Sequence, residues 1–303
     1  MPTVDKIRVV IVLFHPDDEA IEMVKSFQSR GQAPVAVVNA IDPARLTTLR
    51  EAAVDVIINS GNVGLALALN QGIEHAFQSG TDYVMLLDQD TRPPPEMVDR
   101  LQELAIRCAG DEKAVGCIGP LPVDRKRPDA RTIAGKLGVG KGDLAEATTV
   151  ITSGMLISRQ AFEVVGGMWN ELFIDQIDHE WCFRARAAGF AILVAPGVYM
   201  PHNMGDDGFA FFGRYKPIHR SPIRHYHIVR NTLWLARCSF IPLSWRTVEM
   251  LKLAIRIPSY LMLSSARGAT LRAIFHAFIK GLQGPPNRTL FASLAPATEP
   301  SIL

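Results

Sequence analysis

The chain has 303 residues, of which 48% are hydrophobic and 20% charged, and its formal net charge is +2. That is enough apolar sequence for one large domain with a full core and an appendage, which argues against a disordered chain. Near-neutral charge at this size argues against a dedicated nucleic-acid binder.

The N-terminal text MPTVDKIRVVIVLF carries acid and base and runs straight into an apolar segment, unlike a signal peptide. Residues 8–14 (RVVIVLF) form an apolar, β-branched run, which predicts a strand buried on both faces. Residues 19–29 have helical spacing and stop at Gly31. Strand, short helix and strand follow at 34–39, 46–53 and 54–59. An amphipathic helix at 65–79 ends at Gly80. Residues 83–87 (YVMLL) predict a fourth strand running into Asp88-Gln89-Asp90, and 96–108 another helix. Such alternation means a parallel sheet flanked by helices, with ligands beyond the carboxyl ends of the strands.

The second half reads differently. Residues 114–119 predict a strand, 124–143 a polar mobile loop, and 148–157 an apolar stretch. Helices are expected at 159–165 and 180–188, with a strand between them and the tail at 191–195. The uncharged stretch 187–205 is broken by Gly189, Pro196, Gly197 and Pro201, so it is a poor spanning helix. From Arg224 onward the text is mainly helical, interrupted at Pro242 and Pro258. The four cysteines form no CxxC pair and read as reduced thiols of a cytoplasmic protein.

Four features are candidates for chemistry. Asp88 and Asp90, two positions apart just past a strand, offer hard oxygen donors suited to Mg²⁺ or Mn²⁺. The bland alternative is a polar strand-end turn before Pro93-Pro94-Pro95. The Asn62-Val63-Gly64 turn opens a helix whose backbone N–H groups could approach an anion, or is simply a helix entry. Asp175, Asp178 and Glu180 stand within six residues of apolar text. They are costly there unless they work or pair, with Arg184 and Arg186 as available partners and capping by Asp178 as an alternative. His202, in a Gly- and Pro-rich loop, reads either as a third metal ligand or as a surface residue.

Taken together, these segments resemble the inverting nucleotide-sugar glycosyltransferases of GT-A type family 2. The likeness runs from about Val9 to about Asn231. It rests on LFHPD, GNVGLALALNQGI, YVMLLDQD, SGMLISRQAF, GGMWNELFIDQIDHEWCFRARAAGF and SPIRHYHIVRN. Within the family it is most similar to bacterial rhamnosyltransferases, which move L-rhamnose from dTDP-rhamnose onto cell-surface polysaccharide precursors. The resemblance implies an α/β GT-A fold, Rossmann-like and mostly parallel, with a C-terminal helical extension. It implies a catalytic domain at 1–231, divided into a nucleotide-binding half (1–110) and an acceptor and base half (111–231), with the extension at 232–303.

The resemblance also implies roles. Asp88, Gln89 and Asp90 would meet metal, diphosphate and donor ribose. Phe14, His15, Pro16 and Asn39 would line the nucleoside pocket, and Asn62, Gly64 and Asn70 would also contact the donor. Asp178 would be the catalytic base. Gly154, Trp169, Asp175, Glu180, Trp181, Arg224, Tyr226 and Arg230 would lie near acceptor or diphosphate. One departure stands out: Asn39-Ala40 occupies the place where the family usually has Asp-Asn, so a neutral amide would face the base.

Three other readings differ. A UDP-hexose donor would keep the same chemistry. A nucleotidyltransferase would carry a Gly-rich basic loop after the first strand, where this chain has FHPDDEA. A non-catalytic nucleotide-sugar-binding scaffold would not need all three of Asp88, Asp90 and Asp178.

The tail is chemically distinct. Between Arg220 and Arg288 stand eleven Lys or Arg and one acid, Glu249. Apolar helices studded with base suit a membrane surface carrying a lipid-linked saccharide acceptor at the cytoplasmic face. A homodimer contact or a simple cap on the sheet domain are the alternatives.

Overall fold

The computed structural model describes residues 7–108, 113–124, 140–141, 143–202, 206–211, 214–218 and 221–285, with backbone only at 124, 140–141, 202, 206–211 and 214–218. The nucleotide half alternates as expected: β1 (Arg8–Phe14), α1 (Asp18–Ser29), β2 (Val35–Ala40), α2 (Pro43–Glu51), β3 (Asp55–Ile58), α3 (Leu65–Gln78), β4 (Tyr83–Asp88) and α4 (Met97–Arg107). Local chemistry sets the boundaries. The Asp17 carboxylate accepts from the Ala20 N–H to cap α1, and Asp42 accepts from Arg45 to cap α2, which has Pro43 in its first turn.

The second half supplies β5 (Val115–Asp124), β6 (Gly140–Lys141), β7 (Leu144–Glu146), β8 (Leu156–Ser158), α5 (Arg159–Val165), a 3₁₀ turn (Asn170–Leu172) and α6 (Ile177–Ala187). It continues with β9 (Ala191–His202), β10 (Asp206–Phe211) and β11 (Arg214–Ile218), then α7 (Pro222–Leu235), α8 (Leu243–Leu263) and α9 (Arg267–Gln283). Most of the loop expected at 124–143 lies outside the described residues. Of the apolar stretch 148–157, only its end is strand. His202 closes β9 rather than sitting in a loop, and its side chain lies outside the described residues. Pro258 does not interrupt the tail; it sits on the exposed side of α8, where the helix loses one internal hydrogen bond and continues.

One nine-stranded sheet runs β3-β2-β1-β4-β8-β5-β9-β7-β6. Its first four strands are parallel, β8 inserts antiparallel between β4 and β5, and β5 and β9 are parallel again. The chain leaves β1 toward β2 and β3, then returns to place β4 on the other side of β1. The β1/β4 seam is therefore the topological switch point, where a crevice opens beyond the strand ends. Val12 pairs with Asp88 across it, which puts Asp88 at the crevice floor. One apolar cluster buries α3, α5 and α6 on one face of the sheet, and another buries α1 and α4 on the other. A third joins α7, α8 and α9. The junction expected after residue 231 falls inside α7, which packs on both the sheet domain and the tail.

Candidate active site

Asp88 is held from below. Its N–H donates to Ser153 Oγ at 3.2 Å, and that hydroxyl lies 2.5 Å from Thr91 Oγ1. Asp90 projects into solvent one step on. Gln89 faces the other way. Its amide accepts from the Phe14 N–H at 2.8 Å and donates to the Phe14 carbonyl at 3.1 Å, extending the β1–β4 ladder. Gln89 thus straps the two strand ends together. Arg92 closes the turn by donating to the carbonyls of Gln89 and Thr91.

Asp88 also reports what surrounds it. Burial at the crevice floor, then the negative charges of Asp90 and Asp178, push its pKa up to about 7, while Arg224 pulls the other way. Four residues, from β4, the turn after it, α6 and α7, therefore meet electrostatically at one place. Crowded carboxylates of this kind are relieved by a cation. Among the described residues no group of three or more His, Cys, Asp or Glu could hold a metal unaided. Two carboxylates completed by substrate phosphate and water are nevertheless an ordinary Mg²⁺ set, so the residues fit a divalent ion that arrives with its substrate.

The three acids of FIDQIDHEW separate in space. Asp175 pairs with Arg224 at 3.0 Å. Glu180 is 1% exposed and pairs with equally buried Arg184 at 2.7 Å. Among the described residues, Asp178, in the first turn of α6 and half-buried, accepts only from the neighbouring His179 N–H at 2.8 Å. The cap position belongs to Gln176, so Asp178 is inside the helix rather than capping it. Among the described residues Asp178 alone of the three has no cation partner, and it is the one whose charge reaches Asp88.

The backbone that delivers Asp178 is unusual. Phe173, Asp175 and Gln176 all have φ near +65°, a region where side chains other than glycine are strained. Neighbours hold it there. Asn231 donates to the carbonyls of Leu172, Ile174 and Asp175 at 2.8–3.0 Å. Arg230 donates to Glu171 and Leu172, and the Gln176 amide donates to Thr232. The Phe173 carbonyl accepts from the N–H groups of Leu65 and Ala66. Gly64 is required beneath it: its φ is +89°, and a Cβ would lie 2.5 Å from the Phe173 ring. The α3 N-terminus is thus spent on the chain's own carbonyl and not left open for an anion.

Several expected contacts prove to be scaffold. Asn70 is buried, donating to Met168 and Asn170 and accepting from the Met168 N–H. Trp169 and Trp181 are core residues; Trp169 stacks on Trp234, and Trp181 donates to the Gly166 carbonyl. Arg230 is buried among backbone carbonyls and the rings of Tyr226 and Trp234. Gly154, at φ +85°, is packed against Pro120. These residues and Glu180 are buried, and most of their polar side-chain groups bond to other parts of the chain. Asn39 and Asn62 belong to an amide chain with Asn59 and Gln71. Asn39 accepts from Asn59 and donates to Asn62 and the Gly64 carbonyl. Phe14 and His15 remain exposed beside the crevice with Pro16 buried under them, and Arg224 and Tyr226 stay half-exposed. Sequence reasoning missed Ser153, Asn231 and Thr232. The run Arg230-Asn231-Thr232 in an apolar helix was the one available signal.

His227 gives a pH handle on this scaffold. It is buried, its ring lies 4.8 Å from and almost parallel to Phe173, and its Nδ1 has no partner among the described residues. Burial, then the Arg230 charge, pull its pKa down to about 4, against a smaller opposing effect of Asp175. An unfolded His titrates near ~6.5, so the unfolded chain binds more protons below that. Stability is fully present above about 6.5 and is lost as pH falls toward 4, by up to roughly 3 kcal/mol. His227→Phe keeps the stack and removes the titration. Its melting temperature should fall less between pH 7 and 4.5 than that of the unaltered chain; equal slopes would remove His227 from the acid response.

Comparison with known proteins agrees with this fold. The family model described as Glycosyl transferase family 2 matches residues 6–165. The dTDP-rhamnosyl transferase RfbF of Shigella flexneri is 31% identical over 248 residues, 77% of this chain and 81% of its own length. An uncharacterised Mycobacterium bovis protein is 26% identical over 201 residues, 64% of this chain and 72% of its own. Among solved structures, GalNAc-T7 with UDP, GalNAc and Mn²⁺ has a TM-score of 0.52 at 14% identity. That match covers 84% of this chain but only 58% of that one. Residues 1–349 of S. aureus TarS give 0.53 at 12% identity, covering 91% and 80%. At such identities the likeness shows the GT-A fold alone.

Proposed function

The chain belongs to glycosyl transferase family 2, and from that premise we propose an inverting, metal-dependent transfer of L-rhamnose from dTDP-rhamnose to a saccharide or lipid-linked saccharide acceptor. The observation that carries the chemistry is the division of the acids. Asp175 and Glu180 are paired with arginines, while Asp178 has no cation partner among the described residues and its charge acts on Asp88. The donor sugar is proposed from the 31% identity to a dTDP-rhamnosyl transferase.

In this reading Asp88 and Asp90 hold Mg²⁺ or Mn²⁺, which when bound supplies positive charge to the departing nucleoside diphosphate. Asp178 takes the proton of the acceptor hydroxyl. The oxygen forms its bond to the anomeric carbon as the bond to diphosphate breaks, and the electron pair leaves with the diphosphate. A single displacement inverts the anomeric centre. Exposed Phe14 and His15 stand where a nucleobase would stack. Arg224 is shared between Asp175 and the crevice, which suits an approaching phosphate.

A thermal-shift panel tests this reading. dTDP-rhamnose with Mg²⁺ or Mn²⁺ should stabilise the protein by about 2.7 kcal/mol at a hundredfold excess over Kd. UDP-hexoses and GDP-sugars should do less. Asp90→Ala should weaken the metal-dependent part of donor binding by at least about tenfold. Donor affinity that is the same with and without metal, in both proteins, would end the metal assignment. A UDP-hexose as the best donor would replace rhamnose and leave the mechanism standing.

A further inference from the structure

The helices α8 and α9 each turn an apolar stripe outward. On α8, Val248, Leu251, Ile255 and Met262 are 47–72% exposed, and their spacing puts them on one face. On α9, Leu271, Phe275, Ile279 and Leu282 are 39–63% exposed, also on one face. The opposite faces of both helices, through Leu253, Tyr260, Ile274 and Ala277, pack on Ile228, Val229 and Leu233 of α7. The Ser264 and Thr270 hydroxyls, 2.8 Å apart, fix the turn between them. Both helices direct their inner faces at α7 and touch each other, so each turns an apolar stripe outward. Exposed apolar stripes on neighbouring helices mark an interaction surface.

Charge identifies the partner. The only acid between residues 222 and 285 is Glu249, which is buried and held by Lys252 at 2.6 Å and Arg256 at 3.2 Å. Arg267, Arg272 and Lys280 are exposed and have no acidic partner among the described residues. A second copy docked about a two-fold axis would set this basic edge against itself, with no exposed acid here to answer it. Among the described residues no helix is long and apolar enough to cross a membrane. We propose that the α8–α9 face lies on an anionic lipid surface, with its apolar stripes among the acyl chains and its Arg and Lys side chains at the headgroups.

The placement also bears on access to the site. Helix α7, under this face, is the helix whose Arg224 pairs with Asp175 and whose Asn231 holds the 172–175 backbone. Helix α7 thus links the lipid-facing layer to the 172–175 segment that leads into α6 and Asp178.

Vesicle flotation with the full chain tests the proposal without requiring activity, so it stands or falls apart from the donor assignment. The protein should float with vesicles of phosphatidylcholine plus phosphatidylglycerol at low salt. It should do so at least about tenfold less with phosphatidylcholine alone or at high salt. The pair Leu251→Ser and Phe275→Ser should cut flotation with unchanged melting temperature, and Arg272→Glu with Lys280→Glu should erase the preference for anionic lipid. Absence of flotation at low salt would overturn the proposal, as would equal binding to neutral vesicles. A dimer in sedimentation that Leu251→Ser and Phe275→Ser dissociate, without lipid binding, would assign the face to a second copy instead.

Discussion

Asp178→Asn should lower kcat by about a hundredfold to ten-thousandfold while leaving the donor Kd within a few-fold of its original value. The substitution is isosteric, and the amide oxygen can still accept from the His179 N–H that now binds the carboxylate. The first turn of α6 should therefore keep its geometry. The charge of Asp178 is one of those raising the pKa of Asp88. Removing it eases the deprotonation of Asp88, so metal and donor binding should be kept or slightly strengthened. That split separates two roles a carboxylate could have here. A base loses turnover and keeps the donor; a metal or phosphate contact loses both. Single-turnover transfer assays with donor titration by calorimetry would read the two quantities, and the anomeric configuration of the product by NMR would report inversion. Transfer at the original rate would remove Asp178 as the base.

The sequence made the nucleotide half readable because its signals are local. β-branched runs such as RVVIVLF, and helices closed by Gly31 or Gly80, require no knowledge of distant residues. Asp88 could be placed at a strand end for the same reason. The second half depends on contacts between segments far apart in the chain. Arg184 was legible as a partner one turn on, and Glu180 takes it, but nothing in FIDQIDHEW says that Asp175 answers to Arg224, 49 positions away. The start of α6 was misplaced because three residues other than glycine adopt positive φ just before it, a conformation imposed by Asn231 and Arg230 from another helix. The same blindness hid that Asn70, Trp169, Trp181 and Arg230 are buried and held by other parts of the chain. A motif marks residues that occur together, and both the cradle and the chemistry it supports are part of the motif.

Arg184→Met should be the most destabilising of these substitutions, costing about 3–5 kcal/mol and lowering the melting temperature by roughly 10 °C. The guanidinium and the Glu180 carboxylate are each 1% exposed and make two hydrogen bonds to one another, at 2.7 and 2.8 Å. Arg184 also donates to the carbonyls of Val165 and Gly167, fastening α6 to the end of α5 and to the turn that leads to Met168. Without it Glu180 is a buried charge with no counter-ion, and two carbonyls lose their donor. Replacing both partners, Glu180→Leu with Arg184→Met, removes the stranded charge but not the carbonyl loss, so about half or more of the stability should return. Urea midpoints of the single and double variants give the coupling. A single variant within about 1 kcal/mol of the parent would mean that Glu180 is not held by this pair. A large coupling would fix Glu180 as the anchor of α6, the helix that carries Asp178 two residues earlier.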